Sequence, residues 1–496
     1  MHEQGKTLLR PGLLLLTLVA ATAAADAPVS LGAGSLTLAP CTLASPGSPS
    51  TVSAFCGRLA VPENRAQPQG RQIELAVAVV PSRAKRPRPD PVFLLAGGPG
   101  QSALETFPAA APAFAGLLRN RNVLLVDQRG TGGSNPLECP PAESHTAGAQ
   151  ELSGADAAQR SAERCLAVLD ADVRQYTTSA AVEDLEAVRA AIGAPEVNLV
   201  AISYGTRVAL EYLRRHPERT RTVVLDGVVP PEIALGTETA RNLDAALDAN
   251  FALCARDATC RRQYGEPRAL LDRLLADLRR EPPTVRYRDP LTDAVREDPF
   301  TPEVVGGVVR LYTYLPQLAA MLPYSLAEAA AGRPDVLMAQ GRMMESLLGE
   351  QIAEGMQLSV TCTEDADRTR VDPQDAATLL GTEFTEALLA QCAVWPKGVR
   401  PADFTQPVRS DRPVLLLSGE LDPVTPPRYG TMVAKTLPNA RHLVARGQGH
   451  NVMGVGCVPR LMERFVDSGS AAALDASCLE RLAPPPPFLG AFGWDP

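Results

Sequence analysis

Ser203 is the residue whose surroundings most favour nucleophilic chemistry. It stands in VNLVAISYGTRVALEYLRRH, where a run of β-branched and apolar residues passes without a spacer into an amphipathic helical pattern. A sharp strand-to-helix turn lifts a serine hydroxyl above the sheet edge and needs small neighbours, because the backbone crowds there. Gly205 supplies one, and Ala201 takes the other position, where glycine is usual. A serine hydroxyl needs a base, and the base needs an orienting acid. Of the five histidines, His2 lies in the N-terminal leader, His145 in a loop, His216 at the end of the helix after the turn and His442 within a strand. That leaves His450 in the glycine-rich GQGHNVMG, following the last strand, where an imidazole reaches over the sheet edge. Asp422 ends the strand VLLLSGELD before Pro423, so its carboxylate leaves in a stiff turn rather than entering a helix. Glu420, two residues back, is the rival acid. Ser203, Asp422 and His450 would together carry acyl transfer. The oxyanion that forms requires backbone N–H donors, one from Tyr204 and another from the loop LLAGGPGQSA through Gly97 and Gly98.

Positioning these groups takes a sheet whose strands end on one edge. RQIELAVAVVPS, PVFLLA, NVLLVD, EVNLVAIS and RTVVLDGV are continuous apolar runs, and VEDLEAVRAAIG and the segment from Tyr204 to about His216 have helical spacing. Such alternation predicts a mostly parallel sheet covered on both faces by helices. From about 231 to 405 the strand signal gives way to helical periodicity, as in RALLDRLLADLRR and ATLLGTEFTEALLAQ, which predicts an inserted helical cap. Strand signals return at RPVLLLSGELD and ARHLVAR. The organisation expected is therefore a core over 26–230, the cap over 231–405 and a second part of the core over 406–496. In VDQRGTGGSNP, Asp127 and Arg129 are expected to brace a turn rather than to react. The tail LAPPPPFLGAFGWDP is expected to be an extended surface arm.

Residues 1–25 place Lys6 and Arg10 before an apolar run of about ten residues and then small residues, the layout of a signal peptide. Cleavage after Ala25 or Ala27 satisfies the small-x-small rule; an uncleaved anchor is the alternative. All ten cysteines follow that point, and an even count in an exported chain predicts disulfides. Pairing across the shortest loops gives Cys41–Cys56, Cys139–Cys165, Cys254–Cys260, Cys362–Cys392 and Cys457–Cys478. With no CxxC and scattered histidines, no metal site is expected. The 496 residues are 45% hydrophobic with a net charge of −8, a globular composition without the basic footprint of a nucleic-acid partner. No stable membrane insertion of the mature chain is expected, and a periplasmic or extracellular location follows.

The motifs AGGPGQSA, DQRGTGGS, ISYGTR, GELDPVTP and GQGHN together resemble the α/β-hydrolase serine peptidases of the prolyl aminopeptidase and tripeptidyl aminopeptidase group, particularly exported, disulfide-bearing members with a TAP-like C-terminal region. The likeness extends over most of the mature chain. It departs at Ala96, where the prolyl aminopeptidase HGGPG motif has histidine, and at Ala201. The resemblance implies an α/β-hydrolase fold, Ser203 as nucleophile, His450 as base, Asp422 as orienter, and release of short peptides from a free N-terminus without a cofactor. It also implies a cap carboxylate for the substrate ammonium. Glu364 in SVTCTEDADR is the first choice and Asp365 the neighbour to compare. A carboxylesterase is the catalytic alternative, because one fold serves several leaving groups. A non-catalytic binding module would be marked by a missing triad member.

Overall fold

The continuous apolar runs form strands buried on both faces, and period-2 alternation divides each one between two cores. The computed structural model describes residues 29–30, 35–140, 154–349 and 352–494. The leader with its Ala25 and Ala27 cleavage sites, and His145, lie outside the described residues. The main sheet contains β1 (Val29–Ser30), β2 (Thr37–Ala44), β3 (Thr51–Pro62), β4 (Gln72–Val80), β5 (Val92–Leu95), β6 (Val123–Val126), β7 (Val197–Ile202) and β8 (Thr220–Asp226). After a separate hairpin of β9 (Thr284–Arg288) and β10 (Val295–Pro299), it is completed by β11 (Val414–Gly419) and β12 (Ala440–Ala445). The order is β1-β2-β3-β4-β6-β5-β7-β8-β11-β12, with the β1–β4 end antiparallel and β6 to β12 parallel. Phe93, Leu95, Leu199, Ala201, Val223 and Leu225 enter one core. Val92, Leu94, Val200 and Val224 enter the other. Sheets buried in this way read as unbroken apolar runs, which is why these strands are visible in the sequence.

Two other sets of strands depart from the expectation. β2 and β3 form where no strand is expected; they are half exposed, and Pro40 and Arg58 interrupt their apolar pattern. The hairpin β9–β10 lies inside a cap expected to be helical throughout. Its strands bury only alternate residues, Val285 and Tyr287, too short a pattern to stand out among helical repeats. The helical layer with a core of its own is also shorter than 231–405. Its apolar cluster draws on residues from Leu247 to Met338. Ala353, Met356, Leu358, Val360, Cys362, Cys392 and Trp395 pack instead into the first core beside the sheet.

Five disulfides, Cys41–Cys56, Cys139–Cys165, Cys254–Cys260, Cys362–Cys392 and Cys457–Cys478, close short loops, the pairs that proximity in the chain selects. Cys362–Cys392 ties the helix Glu354–Glu364 to the helix Glu383–Val394. Beyond Arg481 the proline-rich tail is more than a surface arm, since it crosses from the core to the cap. Pro484 packs on Gly447, the Phe488 amide donates to Ala320 O at 2.9 Å, and Gln263 Nε2 donates to Leu489 O at 2.6 Å. Among the described residues no helix is long and apolar enough to cross a membrane.

Candidate active site

β5 lies between β6 and β7, so the connections leaving β5 and β7 diverge at their carboxyl ends and open a crevice, the usual place for a ligand in a parallel sheet. Ser203 stands there, between β7 and the helix Tyr204–Arg215, with φ 54° and ψ −125°. A side chain in that left-handed region is strained, and the surrounding bonds hold it. Its amide donates to Asp226 O at 2.8 Å, and its carbonyl accepts from Thr206 N at 2.8 Å and Thr206 Oγ1 at 2.6 Å. Gly205 is dictated by space, because a Cβ there would lie 2.4 Å from Leu95 O and 2.6 Å from Ala96 O. Ala201, fully buried between β5 and β8, supplies the other small position. Gly97 borders the same turn, with the place of a Cβ only 3.2 Å from Ser203 Cβ. Among the described residues, no acceptor is bonded to the amides of Gly98 or Tyr204.

The turn after β11, two strands beyond β7, carries a buried carboxylate. Asp422 Oδ2 and His450 Nδ1 are 2.8 Å apart and both residues are buried. The same carboxylate accepts from Val424 N, Thr425 N and Thr425 Oγ1, each at 2.8 Å. Burial alone would lift the Asp422 carboxyl, but the imidazole and these donors hold it below the ordinary range. The imidazole shows the reciprocal effect. Burial opposes its charge, yet the carboxylates of Asp422 and then Asp226 prevail and raise it above the usual 6.5. Over this pair lies a cap residue: Tyr314 O accepts from His450 N at 2.8 Å, and the two rings meet edge to face with centroids 5.4 Å apart.

The other sequence candidates separate clearly. Glu420 is exposed and accepts from Gly447 N at 2.7 Å, so it braces the loop before His450 rather than its ring. His442 is occupied by Ser418 Oγ at 3.0 Å and Thr431 Oγ1 at 3.3 Å. Asp127 binds Ser102 Oγ, Leu104 N and Gly133 N, while Arg129 is bidentate to Asp184; both brace backbone, as their turn predicts.

Glu364 and Asp365 require a correction. Both are interior, 1% and 0% exposed, on the segment that packs beneath the helix Tyr204–Arg215. Glu364 accepts from Thr178 N at 2.7 Å and Thr178 Oγ1 at 2.9 Å, and that hydroxyl meets Tyr204 OH at 2.6 Å. Burial, against the pull of Arg207, pushes the Glu364 carboxyl up to about 8, which leaves it little charge to offer an ammonium at neutral pH. Asp365 is paired with buried Arg207 at 2.6 Å and with Arg368. These buried acids brace the helix Tyr204–Arg215 through Arg207 and through Thr178 to Tyr204. Removing one partner of a buried pair typically costs about 3–5 kcal/mol. Asp365→Ala should therefore lose stability on that scale in denaturant unfolding, while the rate ratio between free and N-blocked substrates stays as in the wild type.

Residues 90–290 match the alpha/beta hydrolase fold family and residues 377–478 the TAP-like protein family. The chain has the α/β-hydrolase fold, with a TAP-like segment toward its C-terminus. This TAP-like hydrolase is 26% identical over 479 residues to serine protease Hip1 of Mycobacterium tuberculosis, covering 88% of this chain and 90% of that one. It is 24% identical over 469 residues to the tripeptidyl aminopeptidase of Streptomyces coelicolor, covering 87% and 84%. Carboxylesterase B of Mycobacterium tuberculosis aligns over 227 residues at 29% identity, 42% of this chain and 43% of that one. Among solved structures, proline iminopeptidase from Mycobacterium smegmatis superposes with a TM-score of 0.42 and 18% identity, covering 84% and 100%.

Sequence reasoning passed over Thr425, Tyr314 and Asp226. For Asp226 a signal existed: RTVVLDG ends a buried strand with Asp, as VLLLSGELD does. Tyr314 has none, because only the packing of the cap brings it to His450.

Proposed function

We propose that this TAP-like hydrolase is an exported serine peptidase that releases short peptides from free N-termini through an acyl-serine intermediate. The observation that carries this reading is the 2.8 Å Asp422–His450 pair at the sheet edge where the Ser203 turn and the Gly97–Gly98 loop meet. Ser203 Oγ attacks the scissile carbonyl carbon as its proton passes to His450 Nε2. The resulting oxyanion lies toward the amides of Tyr204 and the Gly97–Gly98 loop. The imidazolium then protonates the leaving amine, the C–N bond breaks and the acyl group stays on Ser203. Water completes the cycle: its proton goes to His450, its oxygen to the carbonyl carbon, and the departing Ser203 oxygen recovers a proton. Asp422 holds the Nδ1–H tautomer and offsets the imidazolium charge. Among the described residues no hydrogen bond engages the Ser203 hydroxyl, so in this mechanism Oγ and His450 Nε2 come into hydrogen-bond reach as substrate binds.

Preference for a chain end is supported by cover on two sides. Tyr314 O is bonded above His450, and Ala353 N donates to Gly100 O at 3.0 Å beside the glycine loop. A terminus enters such a covered crevice with less rearrangement than a mid-chain loop. Serine protease and tripeptidyl aminopeptidase relatives that span most of the chain favour peptides, and the five disulfides favour export. The shorter alignment to Carboxylesterase B keeps ester hydrolysis as the second reading.

A set of tripeptidyl chromogenic substrates with free and acetylated N-termini, together with simple esters, tests the proposal. A desolvated ammonium held by charge-assisted hydrogen bonds contributes roughly 1.5–3 kcal/mol, so free N-termini should be favoured about 10- to 100-fold in kcat/KM. Equal cleavage of free and acetylated peptides defeats N-terminal specificity, and turnover of esters alone makes the protein an esterase.

A further inference from the structure

Asp226 ends β8, between the strand that leads to the nucleophile and the strand that carries the acid. Its backbone and side chain hold opposite halves of the site. The carbonyl accepts from Ser203 N at 2.8 Å. The carboxylate, fully buried, accepts from Val452 N at 2.9 and 2.8 Å and from Met453 N at 2.7 Å. Those amides belong to the turn just after His450, where Asn451 adopts φ 66°, a backbone state that costs energy unless its surroundings impose it. The next residue closes the arrangement. Gly227 has φ +70°, and a Cβ on it would lie 3.0 Å from both His450 Cε1 and Thr425 Oγ1 and 3.2 Å from Asn451 Oδ1. The chain at 226–227 thus touches the nucleophile turn, the base and the turn that supports the base.

We propose that Asp226 is a positioning residue that clamps the Ser203 turn through its carbonyl and the His450 turn through its carboxylate, fixing the approach of the imidazole to the serine. The proposal rests on the serine-hydrolase reading above. Oδ2 accepts from both amides, and Oδ1 also accepts from Val452 N. An amide in the same place offers one oxygen and turns its NH2 toward an N–H group. The carboxylate also has an electrostatic consequence. The charged and titratable groups facing the His450 ring are Asp422 from the turn after β11 and Asp226 from β8, with the Tyr314 ring on the cap side. Burial pushes the Asp226 carboxyl up to about 6, so it is mostly ionised where the imidazole titrates above 6.5, and removing its charge destabilises the imidazolium and lowers its pKa.

Asp226→Asn and Asp226→Glu are compared with wild type on the substrate that the wild type turns over in a Ser203-dependent way. A misplacement of about 1 Å costs on the order of 100-fold. Asp226→Asn should lower kcat by about 10- to 100-fold with KM nearly unchanged, and its acid limb in the pH profile of kcat/KM should move to lower pH. Asp226→Glu keeps the charge but shifts it by one methylene, so kcat should fall while the acid limb stays in place. If Asp226→Asn does not fold, the Glu variant carries the test alone. Wild-type kcat in a folded variant, or an acid limb that does not move in Asp226→Asn, overturns the proposal. Absence of Ser203-dependent turnover in the wild type overturns the serine-hydrolase reading instead, so the two failures are distinguishable.

Discussion

Ser203→Ala is expected to lower turnover by about 10⁴- to 10⁶-fold, the usual cost of deleting a triad serine. The size follows from the role: without Oγ no acyl intermediate forms, and only binding and the oxyanion donors remain to assist water. Alanine is smaller than serine and no hydrogen bond to Oγ is lost among the described residues, so the fold should be unaffected. The strained turn is held by the bonds of Ser203 N to Asp226 O and of Thr206 to Ser203 O, which are backbone features of residue 203 and survive the change. Steady-state rates on the best chromogenic substrate, with thermal unfolding as control, check it. A variant that keeps about a tenth of the activity would exclude Ser203 as nucleophile.

His450→Gln should be nearly as damaging, about 10⁴- to 10⁶-fold in kcat, since glutamine cannot accept and return the proton. His442→Gln is the control. His442 lies between Ser418 Oγ and Thr431 Oγ1 and touches none of the proposed catalytic residues, so its variant should keep kcat near wild type. The pH profile adds a second check. The base works in its neutral form, and the Asp422 and Asp226 carboxylates raise its pKa above 6.5 despite burial. The rate should therefore climb as pH rises through neutrality, with a midpoint above 6.5 rather than below it. Equal damage from both histidine variants, or a flat profile from pH 5.5 to 8 (spanning the usual imidazole range of about 6.5), would remove His450 as base.

The parallel half of the sheet was legible because it is buried on both faces. VFLL contains nothing polar and VLLLSG only Ser418 near its end, and helices of regular spacing separate such strands. β2, β3 and the β9–β10 hairpin were not legible, because a half-exposed strand alternates over too few residues to be distinguished from loop. The choice of Asp422 over Glu420 followed from one proline, which turns the chain out of the strand at the right place. The choice of Glu364 failed for the opposite reason. A disulfide and two acids suggested a pocket wall, whereas VTCTED is buried throughout at the end of a helix, with Asp365 paired to Arg207 and Glu364 held by Thr178, both far away in the chain.

By itself the sequence determined the strand-to-helix turn at Ser203, the place of Asp422 and His450 beyond later strands, and the five cysteine pairs, since each depends on residues close together in the chain or on the spacing of short apolar runs. Only the tertiary structure decided which buried carboxylates face the base, which support the nucleophile's helix, and that the cap closes on His450 through Tyr314. Apart from the Asp422–His450 pair, those contacts join segments a hundred or more residues apart, and whether a carboxylate acts as brace, clamp or partner depends on the donors that folding places around it.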